Sequence, residues 1–404
     1  MSTTVLEQRL YSVADWYDAE ALLTTEERAV LGRLRNFLDT EAKPLLAEYW
    51  ERGDFPEQLV RPLIDLGIME PFAAPARGIY QGFRIFELAR TDASLATWYT
   101  AQAGLFRTAI RIGASEAQQK EWMPKVIDFS LKGVFSLTEP EHGSDIAGGL
   151  STTARFETGV DGGAGPDGGS WVLDGAKRWI GGASTADVLC VFARDVADGQ
   201  VKAFLVDRLA PGVSLEKING KTSLRMMQNA HITLQNVRVP EAMRLHNVNS
   251  FKDVAAMLRA MRSDVAWIAT GIQAGSFEAA LSYAKERRQF GRSLGSFQLV
   301  QEKLARMLGN ITASLSLVVR LTEQQGRGIY RDQDSALAKM QTSLFMRETV
   351  ALAREVVGGN GITLASDVAR FHADAEAVYS YEGTHDINAL IIGRALTGDS
   401  AFTR

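Results

Sequence analysis

The chain has 404 residues, 46% of them apolar and 23% charged, with a formal net charge of −4. This is a globular composition with length enough for two or three domains, and without a dominant basic patch it argues against a nucleic-acid partner. Cys190 is the single cysteine, which excludes an intrachain disulfide framework and fits a reducing, cytoplasmic setting.

Met1 to Leu10 lacks a basic region followed by an apolar core, so no signal peptide is expected. No apolar run reads as long enough to cross a bilayer, so no membrane partner is expected. Ala401-Phe402-Thr403-Arg404 is not a peroxisomal address. Residues 1–25 read as a polar arm. From Thr25 to about Lys132 the spacing is helical: Val30, Leu31, Leu34 and Leu38 share one face behind Thr25-Glu26-Glu27. Pro56 and Pro62 punctuate the next segment, and Pro71 and Pro75 the loop after it.

Near Gly133 the character changes. Val134–Leu137, Trp171–Leu173, Val188–Phe192, Ala203–Val206 and Ile232–Val239 are short runs rich in strand-forming residues. The glycine-rich Gly159–Gly169 reads as an exposed hairpin loop. From Phe251 helical spacing returns, and Leu304, Met307, Ile311, Leu315 and Val318 form a stripe that predicts a buried bundle helix. The expected architecture is mainly α with a central β domain. Residues 1–132 form a helical domain, 133–246 a β barrel or sandwich, and 247–404 a four-helix bundle.

Several stretches carry chemistry. Leu137-Thr138-Glu139-Pro140-Glu141-His142-Gly143-Ser144-Asp145 leaves a strand into a glycine turn, where backbone N–H groups can cradle an anion or a flavin edge; a polar β-turn is the plainer alternative. Trp179, in Lys177-Arg178-Trp179-Ile180-Gly181-Gly182, can stack on a ring or fill the β core. Arg287, in Arg287-Arg288-Gln289-Phe290-Gly291, can clamp a phosphate or be a solvated helix end. Gly358-Gly359-Asn360-Gly361 closes a helix and is no dinucleotide fingerprint, since no strand precedes it. His142, His231, His246, His372 and His385 show no metal-ligand spacing, so no metal is expected. In Tyr381-Glu382-Gly383-Thr384-His385-Asp386-Ile387-Asn388 a lone carboxylate sits between an aromatic and a turn glycine, ahead of an apolar helical run to Leu396. Partial desolvation suits such a carboxylate to abstracting a proton from carbon. The alternative is a helix start capped by Thr384 with Glu382 exposed.

Together, in their order and spacing, these segments resemble the acyl-CoA dehydrogenase family over almost the whole chain. Within it they look most like the glutaryl-CoA dehydrogenase branch and the plant short-chain acyl-CoA oxidases. The resemblance implies an FAD enzyme, assembled as a homotetramer, that converts an acyl-CoA to the trans-2-enoyl-CoA and passes electrons to an electron-transferring flavoprotein. Glu382 would be the base, aided by its own backbone N–H and a flavin hydroxyl at the thioester carbonyl. Phe135, Leu137, Thr138, Gly143 and Ser144 would line the flavin, with Trp179 against its ring and Gly181 near its reactive edge. Arg287, Phe290 and Gln298 would reach the FAD of a neighbouring subunit, and Glu355, Gly359, Thr384 and Asp386 would complete the site. Arg262, Ser144, Ala96 and Gly383 would meet the substrate. Two positions depart from the family: Gly181 stands where many members have threonine, and Ala96 where glutaryl-CoA dehydrogenases carry the arginine that binds the distal carboxylate. A neutral acyl chain is therefore expected. An oxygen-using acyl-CoA oxidase, or a non-catalytic flavin- or CoA-binding scaffold, is the alternative.

Overall fold

The computed structural model describes residues 9–69, 78–158 and 169–401. Helices α1 (Thr25–Phe37), α2 (Lys43–Arg52), α3 (Val60–Asp65), α4 (Gly78–Thr91), α5 (Ala93–Tyr99), α6 (Arg107–Gly113) and α7 (Glu116–Ile127) precede the first strand. The loop with Pro71 and Pro75 lies outside the described residues. Thr24 starts α1: its side chain accepts from the Glu27 N–H, and Glu27 returns a bond to the Thr24 N–H. This reciprocal cap satisfies two donors that a bare helix start leaves open. Leu31, Leu34 and Leu38 are buried, as their spacing predicts.

The expected polar arm is instead packed down over its described part. Tyr11 is buried, and the Glu20 carboxylate accepts the N–H groups of Leu10 (3.1 Å) and Tyr11 (2.6 Å). Two acidic residues that read as solvated in sequence thus serve the backbone, since the Asp15 carboxylate also accepts from Ala19 and Glu20.

Seven strands form the middle sheet: β1 (Gly133–Ser136), β2 (Thr153–Glu157), β3 (Ser170–Gly181), β4 (Val188–Asp195), β5 (Val201–Asp207), β6 (Val213–Lys217) and β7 (Asn229–Pro240). They run in the order β1-β4-β2-β3-β7-β6, with β5 also on β4. β1 and β2 are parallel to β4, and the other pairs are antiparallel. The five predicted strands are present. The loop expected at Gly159–Gly169 lies almost wholly outside the described residues, but the strands flanking it, β2 and β3, pair antiparallel. A short helix, α8 (Ile146–Gly149), follows the glycine turn.

The C-terminal part holds α9 (Phe251–Glu286), a small hairpin of β8 (Arg288–Gln289) and β9 (Arg292–Ser293), α10 (Gln298–Gly326), α11 (Asp332–Val357), α12 (Asp367–Ser380) and α13 (His385–Thr397). Helices α9 to α12 pack as the expected bundle, and α4 lies along α9. Glycines allow that approach. A Cβ on Gly271 would sit 2.5 Å from the Phe86 carbonyl, and one on Gly275 would strike the Arg90 carbonyl. The predicted stripe of α10 is buried at Met307, Ile311, Leu315 and Val318. One expectation is corrected: α10 is by length and composition apolar enough to cross a membrane, with a mean hydropathy of 1.2 in its most apolar window. Its stripe is apolar because it faces α9 and α11.

Candidate active site

Glu382 ends up between helices rather than on a free surface. The link from α12 to α13 is tight: Glu382 has φ 51° and Gly383 φ 94°, both in the left-handed region. A non-glycine residue there is strained and needs outside support. Two side chains give it. Lys339, fully buried on α11, donates to the carbonyls of Tyr379 (2.6 Å) and Gly383 (2.7 Å). Asn388 donates to the carbonyls of Gly383 (2.9 Å) and Thr384 (3.0 Å). Thr384 caps α13, its hydroxyl accepting from the Ile387 N–H at 3.2 Å. The capping role read from sequence is therefore real, while the exposed carboxylate that went with it is not: Glu382 is half-buried.

Around this turn the chain forms a recess with four walls. Tyr381 and Glu382 form one. Thr97 on α5 forms the second, its hydroxyl 3.3 Å from the Tyr381 hydroxyl. It is continued by the π-helical segment Thr100–Phe106. Arg262 and Asp264 come from α9, and Lys339 from α11. Burial pushes the Glu382 carboxyl up to about 7; the Asp264 carboxylate adds to the rise, and Lys339 and Arg262 hold it back. Burial also brings the Lys339 amine down to about 8. A carboxyl that titrates near neutrality has the basicity that proton abstraction from carbon needs. Among the described residues, none accepts a hydrogen bond from the Glu382 N–H. Arg262 is held near Asp332, at 4.0 Å, and its Nη1 is buried without a hydrogen-bond partner.

A second group of predicted residues gathers at the edge of the β domain. The register of β3 against β7 slips between Lys177 and Ile180, and this bulge turns Trp179 outward at φ 66°. Trp179 is 52% exposed, which overturns the idea that it fills the β core. Phe135 is half-buried against Phe192, with ring centroids 4.5 Å apart, and Thr138 is half-buried. Gly143 and Ser144 are exposed, and a Cβ on Gly143 would meet nothing within 4 Å. The turn is fixed from behind by Glu139, which accepts from Lys177 (2.8 Å), the Ser151 N–H (2.7 Å) and the Thr152 N–H (2.9 Å). Leu137 is buried in the core beside this edge, so its side chain lines nothing. At Gly181 the space a side chain would take is filled by Met227.

Arg287, Phe290 and Gln298 lie together at the exposed end of α9, the β8–β9 hairpin and the start of α10; Phe290 is 91% exposed. Glu355 and Gly359 join this patch, Glu355 through an ion pair with Lys303 on α10 (3.0 Å), and the glycine turn through a bond from Asn360 to Tyr283 on α9 (3.0 Å). No described contact joins the patch to Glu382. Asp386 is exposed on α13. Ala96 is a correction: it is completely buried in the helical core, and Thr97 is the α5 residue that faces the recess.

Three family models match the chain: the N-terminal domain of acyl-CoA dehydrogenase over residues 24–130, its middle domain over 134–237 and its C-terminal domain over 251–397. The chain belongs to the acyl-CoA dehydrogenase family. A probable acyl-CoA dehydrogenase of Bacillus subtilis is 30% identical over 93% of this chain and 98% of its own length. Glutaryl-CoA dehydrogenase from Mycobacterium smegmatis, in complex with FADH2, has a TM-score of 0.89 at 30% identity, over 97% of this chain and 100% of that one. Butyryl-CoA dehydrogenase from Megasphaera elsdenii has a TM-score of 0.85 at 28% identity, over 93% and 98%.

As an acyl-CoA dehydrogenase the protein is an FAD-dependent oxidoreductase. Its own residues fit the cofactor: the Trp179 ring is half exposed, with the Arg178 guanidinium over it, the Gly143 turn has room around it, and the Ser136 hydroxyl nearby is buried without a partner. The motif residues were legible in sequence, whereas Lys339 and Asp264 were missed. Each carried a signal. Lys339 interrupts the buried stripe of Ala336, Ser343 and Met346, and Asp264 shares a face of α9 with Met261 and Ile268.

Proposed function

We propose that the protein dehydrogenates neutral acyl-CoA thioesters to trans-2-enoyl-CoA, with Glu382 as the base. The observation that carries this is Glu382 itself: a half-buried carboxyl held in a strained turn and titrating near 7. In this mechanism the thioester carbonyl sits against the Glu382 N–H, which stabilises the charge that develops as the α-proton leaves. Glu382 takes that proton on a carboxylate oxygen. FAD supplies, when bound, the acceptor for the hydrogen that leaves the β-carbon as hydride. Phe135, Thr138, Gly143, Ser144 and Trp179 would hold the flavin, and Thr384 and Asp386 would complete its site beside the base. Lys339 and Asn388 hold the backbone of the turn that carries the carboxylate, and Thr97 and Tyr381 close on each other beside it.

Arg287, Phe290 and Gln298, with Glu355 and Gly359, are assigned to the FAD of a neighbouring subunit in a homotetramer. Their exposure and their separation from Glu382 support this. Arg262 is assigned to the substrate side of the recess and, with Lys339, to restraining the basicity of Glu382. Electrons are assigned to an electron-transferring flavoprotein, which slow reoxidation of the reduced enzyme in air would support.

Anaerobic mixing of the purified yellow enzyme with butyryl-CoA tests the reading. Wild type should bleach, while Glu382→Gln should bind the thioester and bleach slower by orders of magnitude, because an amide cannot accept the proton. Bleaching of the variant at the wild-type rate would place the base elsewhere.

A further inference from the structure

The mechanism leaves one carboxyl of the recess unused. Asp264 stands two residues beyond Arg262 on α9 and is half-buried. Its Oδ2 lies 2.8 Å from where a Cβ on Gly104 would be, so that glycine makes room for the carboxylate. Asp264 also exerts the strongest charge effect on Glu382. The recess therefore holds two carboxyls, and its cations already face acidic groups or are tied to the backbone, although the Nη1 of Arg262 makes no hydrogen bond. Lys339 is bound to two backbone carbonyls and Arg262 faces Glu382 and Asp332. Arg107 faces Asp264 and donates to the Met69 carbonyl at 2.9 Å. Arg90, at the end of α4, is buried among Glu87 (2.7 Å), Glu278 (2.8 Å) and Asp39 (3.0 Å), and Arg370 lies 3.6 Å from Asp92 at the start of α5.

We propose that Asp264 is a specificity-determining residue that bars acyl chains bearing a carboxylate from the recess. The proposal rests on the acyl-CoA reading above and names the side chain that restricts it to neutral chains. The physical basis is that a second anion in a partly desolvated recess must be paired, and Asp264 both repels it and occupies the field of Arg107. Ala96, buried in the core, has no part in this. Burial pushes the Asp264 carboxyl up to about 7, with Arg107 opposing. The barrier is therefore present above that pH and weakens below it, while the distal carboxylate of a dicarboxylic chain stays ionised.

The test compares kcat/KM for glutaryl-CoA with that for butyryl-CoA, using one electron acceptor. Glu382 serves both substrates, so its own titration cancels in the ratio. Asp264→Asn should raise the glutaryl-to-butyryl ratio by at least about tenfold, chiefly through KM for glutaryl-CoA. An unchanged or lower ratio overturns the proposal. Asp264→Ser takes the place of the amide if that variant does not fold. If neither folds, the wild-type pH series decides: the ratio should rise as pH falls from about 8.5 to about 6, and a flat ratio overturns the proposal. A wild-type enzyme that butyryl-CoA cannot bleach at any pH overturns the acyl-CoA reading, and this proposal with it.

Discussion

Lys339→Met separates the stability of the enzyme from the setting of its base. Lys339 is buried, and its amine falls from 10.5 to about 8, a difference of about 2.5 pK units. At ~1.36 kcal/mol per unit, the net penalty on the ammonium, burial less the attraction of Glu382, is about 3 kcal/mol. Against this stand its bonds to the Tyr379 and Gly383 carbonyls, worth ~1.5–3 kcal/mol each, or about 3–6 kcal/mol together. The variant should thus lose no more than about 3 kcal/mol and remain folded, with Tm lower by several degrees at most. Catalysis should suffer far more. The turn that holds Glu382 at φ 51° keeps only its ties to Asn388, and a misplaced base costs on the order of 100-fold. Glu382 also loses a cation that favours its ionised form, so the acid limb of its rate profile should move to higher pH. Stopped-flow flavin reduction by butyryl-CoA, beside a thermal melt, reads both effects. Reduction within about threefold of wild type in a folded variant would show that Lys339 does not set the turn.

Other perturbations give separate readings. In wild type, flavin reduction by a neutral acyl-CoA should rise as pH increases through about 7, where Glu382 becomes ionised; a flat profile between pH 6 and 8 would contradict the assignment. Arg287→Ala should release FAD and loosen the oligomer together, as size-exclusion chromatography with absorbance at flavin wavelengths can show, whereas full occupancy in an intact assembly would make Arg287 a solvated helix end. Lys177→Met should cost about 3–5 kcal/mol in a denaturant melt, because Glu139 is left buried and charged; adding Glu139→Gln should recover part of it, since the amide keeps one oxygen for the Ser151 and Thr152 donors. That recovery is expected because burying both charges offsets much of what the pair gains: Lys177 holds the Glu139 carboxyl low, while burial pulls the Lys177 amine down.

The fold was readable where side-chain pattern and burial agree. The α10 stripe and the five apolar strands follow directly from spacing. β2 and β6 were not seen: Thr-Ala-Arg-Phe-Glu and Val-Ser-Leu-Glu-Lys are short and charged, and stand half out of the core. The motif residues of the site were readable because each lies in a compact local signature. Lys339 and Asp264 were not, because a single charge on a long helix reads as solvated until another part of the chain covers it. Two side-chain orientations, of Trp179 and around Ala96, were not readable for a related reason. A one-residue slip in β3 decides which way the tryptophan points, and the turn of α5 decides that Thr97 rather than its neighbour faces the recess.

Asp374 gives the architecture a further consequence. It lies buried on α12, yet it accepts from the Trp50 indole on α2 (3.0 Å) and from the Leu224 N–H in the segment after β6 (2.7 Å). One carboxylate of the bundle thus satisfies donors from the N-terminal helices and the sheet region at once. Cutting the chain between any two of these parts would strand a polar group that was buried, so none is a self-sufficient module. Although the sequence divides cleanly into three matched segments, the molecule should melt in one transition, and exchanging one segment with a relative should fail unless this junction is carried across with it.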